Sequence, residues 1–522
     1  MTRERHAPAP RLVAKVGLIA FVWLAALAGA RPLLLPDEGR YVGVAWEMLR
    51  SGDWSTPTLD GLPYFHKPPL FYWVTAASMA LFGAGDWAAR AAPLLGAWAG
   101  AMATFVFVCR WWGVRLASLA LSALLAMPLF YLAAQFANLD MLVAGCITAT
   151  IVLLAHAALS FESGIEHRPA LIAGYAAAAL GLLAKGLIGV LFPVLVVGGW
   201  LVLEKRWRTL WALLSLPGAL VCAGIAAPWF IVMQARFPGF LDYFFIVQHF
   251  KRFATGGFNN VQPWWFFVAV LALLSLPWLA WLRPHVVRDG LSDPTRRSLR
   301  RLMWLWAGTV VVFFSLPQSK LIGYILPALP PLAVLLADGF EQLDAKRRKR
   351  SMSHWYGAAA IGAAVSFAAV AVMSLHPTKS TRELAATLRA EHAPGEPVVM
   401  IREYRFDMPL YARLQQPVVV VDAWRSAEVQ RRDNWRKELA DAGAFAPTLA
   451  QDLLLEPARL CPALRGEGRA WVVAQTDVAQ RFPFIDAMPA IATVRGTSLW
   501  RVDRADPRLT AGLSCEGTPN AD

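Results

Sequence analysis

Charged residues near the start of the chain have the types and spacing that acid–base catalysis requires. Asp37 and Glu38 stand side by side after Pro36, and Arg40 follows them. A carboxylate can act as a general base, and a neighbouring arginine can hold it in place. The same residues also fit an ordinary helix start, with Asp37 as the N-cap and Glu38 in the first turn. The local sequence is compatible with both interpretations.

Residues that could bind an anionic head group occur further along the chain. Lys67 follows His66 at the start of an apolar segment, where its ammonium could hold a lipid phosphate or extend to the membrane interface. Lys320 and Tyr324 are one helical turn apart. They could bind the same head group, or they could anchor their helix at the interface.

Asp140, Lys185 and the segment 234–262 complete the set of candidates. Asp140 either contributes to a head-group site or caps its helix, and Lys185 either belongs to that site or marks a loop. The segment 234–262 contains His249 and Arg252 and is rich in glycine and aromatic residues. This composition predicts a lid over a membrane-embedded pocket or, alternatively, a plain connector. Ionisable groups at membrane depth are functional candidates because burying them is costly.

The elements that must position these residues are membrane helices. Of the 522 residues, 57% are hydrophobic and only 16% are charged, whereas about a quarter are charged in soluble proteins. The mean hydropathy is +0.44. The net charge of +14 lies in short connectors between apolar blocks, which argues for loops on an anionic membrane and against nucleic-acid binding. The apolar blocks are 12–35, 68–84, 91–109, 116–134, 139–161, 169–184, 187–203, 209–233, 263–282, 302–316, 321–337 and 355–375.

The basic connectors predict the topology. The positive-inside rule places the N-terminus and the segments 205–208, 283–301 and 346–350 in the cytoplasm. The first loop (residues 36–67), the second loop (residues 234–262) and everything after Leu375 then face outward.

Twelve crossings do not satisfy this arrangement. We therefore expect block 68–84 to lie at the outer interface or to re-enter from it, which leaves eleven crossings. A different division of 91–134 would give thirteen.

Residues 376–522 differ in character and predict a small α/β domain outside the membrane. Short β-branched runs at 398–401, 418–421 and 471–474 alternate with helical patterns such as 381–391. No glycine-rich phosphate motif follows these strands, so no nucleotide cofactor is expected. Cys461 and Cys515 could form a disulfide in an extracytoplasmic domain. The expected fold is mainly α: a polytopic helical bundle over residues 1–375 with a C-terminal α/β domain over 376–522.

Several of these segments resemble a known family. Residues 36–41, 51–54 and 64–69 are similar to the first periplasmic loop of the bacterial aminoarabinose transferases of lipid A, and 249–253 and 319–327 resemble two further signatures. Those enzymes are GT-C glycosyltransferases, related to the protein O-mannosyltransferases. The resemblance implies transfer of a sugar from a polyprenyl phosphate to an acceptor such as lipid A on the outer side of the bacterial inner membrane, by a protein expected to be monomeric.

The resemblance also implies roles for the candidate residues. Asp37 would be the principal catalytic carboxylate, with Glu38 beside it and Arg40 organising it. The positions expected near the donor phosphate or the substrate are Lys67, Lys320, Tyr324, Arg252 and Asp140. His249 matches a metal-binding position, and His66 stands where the family usually carries glutamate. The two histidines could bind zinc, although two ligands are few for such a site.

The chemistry implied by the resemblance is a direct displacement. Cationic residues would stabilise the phosphate leaving group, and inversion at the anomeric carbon would follow. Three other functions remain open: a protein O-glycosyltransferase, a transferase of another sugar such as galacturonic acid, and a transporter. The hydropathy shows no internal repeat of the kind that transporters carry.

Overall fold

The structure, a computed structural model, describes residues 8–251, 260–282, 294–343, 345–377, 380–479 and 482–510. A helical part is followed by a sheet domain. The helical segments of the first part are Pro10–Ala25, Asp37–Ser51, Leu70–Phe82, Ala91–Trp112, Val114–Ala126, Pro128–Ala134, Leu139–Glu162, Arg168–Lys185, Ile188–Pro193, Val194–Gly198, Gly199–Leu203, Trp207–Leu213, Leu216–Arg236, Asp242–Lys251, Phe266–Leu274, Trp278–Trp281, Pro294–Ser315, Ile322–Ala328, Leu329–Glu341 and Ala345–Leu375.

The long apolar helices make this a polytopic membrane protein. Among the described residues, five helices are long and apolar enough to cross a bilayer: Ala88–Trp112, Leu139–Glu162, Leu216–Arg236, Ile322–Glu341 and Lys346–Leu375. A sixth span results if Val114–Ala126 and Pro128–Ala134, bent by 68° at the proline, are counted together. Other apolar segments are shorter or interrupted, so the predicted total of eleven to thirteen helices stays a prediction.

Small residues let the central helices approach closely. A Cβ atom added to Gly145 of Leu139–Glu162 would lie 2.1 Å from the carbonyl oxygen of Gly96 in Ala91–Trp112. Gly189 meets Gly181 in the same way, at 2.3 Å from the Gly181 carbonyl carbon. Close backbone packing of this kind is how helices associate when the surrounding lipid is as apolar as their side chains.

The helix after Lys67 does not cross the helical part. Leu70–Phe82 has 13 residues, a length of about 20 Å, whereas the bilayer core is about 30 Å thick. Asp86, just beyond its end, accepts a hydrogen bond from Tyr411 at 2.6 Å and pairs with Arg382 at 3.0 Å, both in the C-terminal domain. Both ends of the segment therefore lie beside the C-terminal domain, and its position at the outer membrane interface stays a prediction.

The first loop is a helix followed by a small hairpin. Strands β1 (Thr58–Leu59) and β2 (Leu62–Pro63) pair antiparallel, and the turn residues Asp60 and Gly61 have φ angles of 54° and 76°. The Glu47 carboxylate, on helix Asp37–Ser51, accepts hydrogen bonds from the backbone N–H groups of Asp60 and Gly61 at 2.7 and 2.9 Å. The hairpin is thereby fixed to the helix, and the segment that follows it turns back toward the helix start.

The C-terminal domain contains one six-stranded sheet. Its strands are β3 (Val398–Ile401), β4 (Val419–Val421), β5 (Leu454–Leu455), β6 (Arg469–Gln475), β7 (Ala492–Val494) and β8 (Thr497–Asp503). Their order is β5-β4-β3-β6-β8-β7. Strands β5, β4, β3 and β6 are parallel to one another, β8 is antiparallel to β6, and β7 is antiparallel to β8. The continuous apolar runs predicted as strands lie in β3, β4 and β6, as expected for parallel strands covered on both faces.

Helices surround this sheet: Arg382–Glu391, Met408–Tyr411, Ala427–Arg431, Trp435–Ala444, Pro447–Leu453, Leu460–Leu464, Thr476–Ala479, Pro483–Asp486 and Pro507–Thr510. Cys461 is disulfide-bonded, and Cys515 lies outside the described residues.

The C-terminal domain packs directly on the first loop. A Cβ atom on Gly39 would lie 3.0 Å from Phe406 Cβ and 3.1 Å from the Asp407 nitrogen. The N–H of Val418 donates to Asp60 Oδ1 at 2.9 Å. The middle of helix Asp37–Ser51 is therefore enclosed between the helical part and the sheet domain, whereas part of its first turn and its last three residues are partly or fully exposed.

Candidate active site

Adjacent carboxylates at the start of the first-loop helix have opposite environments. Helix Asp37–Ser51 begins with Pro36 at the N-cap and no side-chain cap, so the interpretation of Asp37 as the N-cap is wrong. The side chain of Asp37 is 40% exposed, whereas that of Glu38 is fully buried. One residue corresponds to a 100° rotation around a helix, which is enough to turn one carboxylate outward and the next inward.

Glu38 is the centre of a buried ion network and not a group open to substrate. It pairs with Arg31, and it accepts from Arg90 Nε at 2.9 Å and Arg90 Nη2 at 3.1 Å. It also accepts from the backbone N–H groups of Leu34 and Ala137, each at 2.8 Å. Burial favours protonation, but the two arginines outweigh it and lower the pKa of Glu38 to about 2. The predicted catalytic role for Glu38 is therefore replaced by a positioning one.

Asp37 belongs to a second ion group that includes a residue from the C-terminal domain. Arg40 pairs with Asp37 through Nη2 and with Glu438 through Nη1. Glu438 lies on helix Trp435–Ala444, and its side chain is 7% exposed. Burial opposes the charge of Arg40, but the Glu438 carboxylate in particular raises its pKa above the ordinary value. Asp37 is the member of this group that a ligand can reach.

A third ion group lies at the same end of the helical part. Asn138 caps helix Leu139–Glu162 by accepting from the N–H of Asp140 at 3.0 Å, so Asp140 itself is not the cap. Asp140 pairs with Lys185 at the end of helix Arg168–Lys185. The Lys185 ammonium also lies 4.5 Å from the centre of the Tyr324 ring. An ammonium, a carboxylate and a phenol thus converge from three separate helical segments.

Tyr41 and Tyr72 lie near the ion group of Arg40, and Tyr41 also lies near that of Asp140. Burial, together with the carboxylates of Asp37, Glu438 and Asp140, raises the pKa of Tyr41, which places Tyr41 within electrostatic range of both groups. The hydroxyl of Tyr72 is fully buried and finds no hydrogen-bond partner among the described residues. A buried hydroxyl in this state is expected to bind water or a ligand.

His66 faces a carboxylate from the C-terminal domain. Its Nε2 lies 3.9 Å from Asp441 Oδ2, and its ring stacks on Tyr64 with a centroid distance of 4.6 Å. The Tyr243 hydroxyl, from the second loop, donates to the same Asp441 oxygen at 3.1 Å. Burial raises the pKa of Asp441. The first loop, the second loop and the C-terminal domain meet at this point.

Four predicted site residues remain: Lys67, Lys320, Arg252 and His249. Lys67 is half-buried between His66 and Pro68. The Lys320 ammonium donates to the carbonyl oxygens of Gln262 at 2.9 Å and Pro317 at 2.5 Å. Lys320 therefore fixes the end of the second loop instead of pointing a free charge at a phosphate, which corrects its predicted role. Arg252 and the side chain of His249 lie outside the described residues.

The zinc site predicted from His66 and His249 involves a side chain, that of His249, which lies outside the described residues. No group of three or more histidine, cysteine, aspartate or glutamate side chains with metal-binding geometry occurs in the described part of the chain. The imidazole of His66 and the Asp441 carboxylate supply two donors, whereas zinc usually takes four ligands. The zinc site stays a prediction.

An apolar groove lies among the helices of the helical part. It has a volume of about 490 Å³ and is lined by helices Leu139–Glu162, Arg168–Lys185 and Leu216–Arg236, among others. Leu182, in its lining, precedes Lys185 by nearly one helical turn. An apolar groove that comes within about one helical turn of a lysine has the polarity for a lipid chain with an anionic head group.

The sequence did not reveal Glu438 or Asp441. They belong to an ordinary amphipathic helix in a different domain, and Glu438 is 398 positions from its partner Arg40. Asn434 at the N-cap of that helix was the available local signal, since its side chain accepts from the N–H groups of Arg436 and Lys437. That signal predicts where a helix starts and not what its other face contacts.

Known proteins resemble this chain in sequence. Residues 32–244 match the family described as dolichyl-phosphate-mannose-protein mannosyltransferase. An undecaprenyl phosphate-alpha-4-amino-4-deoxy-L-arabinose arabinosyl transferase of Aeromonas salmonicida is 33% identical over 356 residues, which cover 67% of this chain and 63% of that protein. The protein of the same name from Aeromonas hydrophila is 28% identical over 480 residues, 90% of this chain and 78% of that protein. Across five such relatives the chain spans between 52% and 63% of their length.

The fold is similar to that of a solved structure. ArnT from Cupriavidus metallidurans, bound to undecaprenyl phosphate, superposes with a TM-score of 0.79 at 24% sequence identity, covering 94% of this chain and 97% of that one. In sequence the chain is therefore similar to the aminoarabinose transferases and the protein mannosyltransferases, and it shares the fold of ArnT.

Proposed function

We propose that this chain transfers a sugar from a polyprenyl phosphate to an acceptor at the membrane face where the first loop lies. The sugar is of the aminoarabinose type and the acceptor is lipid A. The observation that carries the proposal is the position of Asp37. Its carboxylate is partly exposed, is held by Arg40, and lies at the same face as the Asp140–Lys185 pair, which is about one helical turn from Leu182 of the apolar groove.

The reaction is a direct displacement at the anomeric carbon. An acceptor oxygen forms a bond to that carbon while the bond to the donor phosphate oxygen breaks, and the electron pair leaves with the polyprenyl phosphate. A phosphate acceptor attacks without losing a proton, and Asp37 then orients the sugar. A hydroxyl acceptor gives its proton to Asp37 as general base. One displacement inverts the anomeric configuration.

Cationic residues stabilise the leaving group. The polyprenyl phosphate departs as a dianion, and positive groups fixed before the reaction lower its energy without reorganising. Lys185, beside Tyr324 and Asp140, and Lys67 supply that charge. The apolar groove next to Lys185 accommodates the start of the polyprenyl chain.

Carboxylates at the site offer partners for the amine of an amino sugar. Glu438 and Asp441 add two carboxylates to those of Asp37 and Asp140. Cations already pair with them, namely Arg40, Lys185 and Lys437. The amine would therefore share a carboxylate with one of these cations, and the sugar type is decided by the experiment below.

Charge distribution supports a bacterial inner-membrane protein with its site facing the periplasm. Asp140 and Glu162 are at opposite ends of one helix, about 33 Å apart by helical rise. Glu162 pairs with Arg206 of a basic connector, and such connectors prefer the cytoplasm. The disulfide-bonded Cys461 supports an oxidising compartment for the C-terminal domain.

The test is mass spectrometry of lipid A and of surface proteins from cells that produce the wild type, Asp37→Asn or the control Glu383→Gln. Glu383 is an exposed residue of the C-terminal domain, with 61% of its side chain accessible. We expect the wild type and the control to add an aminopentose to lipid A and Asp37→Asn to add none. Equal modification by Asp37→Asn would refute the catalytic assignment.

A protein acceptor is the second candidate, and one observation favours it. The family matched by residues 32–244 is named for transfer to proteins. Sugar on surface proteins, with lipid A unchanged, would establish this alternative in the same experiment.

A further inference from the structure

Helix Trp435–Ala444 of the C-terminal domain projects two carboxylates into the first-loop site. Its N-terminus is fixed by Asn434, whose side chain accepts from the N–H of Arg436 at 3.0 Å. Glu438 and Asp441 are three residues apart and therefore lie on one face of this helix. Glu438 contacts Arg40, and Asp441 contacts His66 and Tyr243. One short helix thus reaches both parts of the site.

Arg40 is held from two sides. One terminal nitrogen of its guanidinium pairs with Asp37 and the other pairs with Glu438. The guanidinium carbon lies 5.2 Å from the Tyr41 ring centre and 5.8 Å from the Phe406 ring centre. Because a guanidinium is planar and its donors diverge in a fixed fork, binding one end determines where the other end points. The orientation of Arg40 toward Asp37 is therefore set by Glu438.

The two carboxylates also balance the charge of Arg40. A guanidinium with only one carboxylate partner attracts a nearby phosphate more strongly than one with two. Asp37 remains the exposed partner and Glu438 the buried one. Glu438 thereby keeps Arg40 bound to Asp37 and away from the lipid phosphate.

We infer that Glu438 is a positioning residue for sugar transfer. It holds Arg40, Arg40 holds Asp37, and the C-terminal domain is in this way an integral wall of the active site. The inference rests on the proposed function. It makes an unusual prediction: removing the charge of Glu438 slows turnover and at the same time tightens the binding of the lipid phosphate.

The experiment uses the full chain in detergent or nanodiscs, with Glu438→Gln, Glu438→Asp and the control Glu383→Gln. Glu438→Gln keeps the shape of the side chain and removes the charge. We expect kcat to fall by about 100-fold, the size of effect that a displaced catalytic group produces. We expect Kd for undecaprenyl phosphate alone to decrease by about three- to tenfold, because one negative charge near the phosphate is lost. Glu438→Asp keeps the charge, so its Kd stays at the wild-type value while its kcat is intermediate.

The two measurements separate the possible failures. Damage to the fold would lower kcat and weaken lipid binding together, which would contradict the inference. A Glu438→Gln variant with the kcat and Kd of Glu383→Gln would overturn it while leaving the proposed function intact. If the wild type binds undecaprenyl phosphate but transfers no sugar, the proposed function fails and the Kd comparison still decides whether Glu438 restrains Arg40. A wild type that neither binds the lipid nor transfers sugar refutes both.

Discussion

Replacing Glu38 by glutamine tests whether the buried ion network builds the site. The substitution keeps the side-chain volume and one carbonyl oxygen, but it leaves Arg31 and Arg90 buried without their shared negative partner. Removing one partner of a buried ion pair costs about 3–5 kcal/mol. The lowered pKa of Glu38, from 4.5 to about 2, gives a contribution of the same order, about 3 kcal/mol at about 1.4 kcal/mol per unit. Both routes give a similar loss of unfolding free energy.

The pH dependence has a definite sign. Glu38 has a lower pKa in the folded protein than in the unfolded chain, so its stabilising contribution is complete above pH 4.5 and is lost as the pH falls toward about 2. From pH 5 to 8 the difference between the wild type and Glu38→Gln is therefore constant. Below pH 4.5 the difference becomes smaller.

Unfolding by titration with sodium dodecyl sulfate at several pH values measures both effects. The control is Glu391→Gln, because Glu391 forms an exposed pair with Arg501 at 3.1 Å, and exposed pairs contribute at most about 1 kcal/mol. Since Glu38 fixes the turn that carries Asp37, Glu38→Gln should also lower kcat. A Glu38→Gln protein as stable as the control at pH 7 would refute the reasoning.

Three further substitutions have definite expected outcomes. Burial and the nearby Glu47 carboxylate raise the pKa of Asp60, so the folded state loses stability as the pH rises above the unfolded pKa near 3.8. Asp60→Asn should therefore be more stable than the wild type at pH 8 by about 1–3 kcal/mol. The same unfolding titration should show that this advantage disappears below about pH 4. Lys185→Gln removes the cation beside Asp140 and should raise Kd for undecaprenyl phosphate by about tenfold in a lipid-binding assay. Tyr72→Phe removes a buried hydroxyl that has no partner among the described residues; we expect unchanged or higher stability and a kcat/KM about tenfold lower if substrate uses that hydroxyl, and unchanged kinetics would remove Tyr72 from the site.

The local sequence predicted the positions of several long apolar helices. The apolar blocks at 139–161, 169–184 and 355–375 correspond to Leu139–Glu162, Arg168–Lys185 and the apolar part of Ala345–Leu375. Hydrophobic length is a local property, because a helix that crosses lipid must satisfy its own backbone hydrogen bonds.

The roles of individual charges depended on contacts that no local pattern contains. Lys320 and Lys185 are both lysines beside apolar helices. Lys320 is bound by the carbonyl oxygens of Gln262 and Pro317, whereas Lys185 lies between Asp140 and Tyr324. The difference arises from packing between segments far apart in the chain.

The sequence by itself determined that this is a membrane protein whose charged first loop resembles that of the aminoarabinose transferases, because composition, block length and motif are all readable along the chain. Only the tertiary structure decided which carboxylate of the Asp37–Glu38 pair is available for chemistry. Arg31 and Arg90 draw Glu38 into the core, and the helical rotation then leaves Asp37 outside. The tertiary structure also brought Glu438 to Arg40 from the C-terminal domain, since charges pair by distance in space and not by separation in sequence.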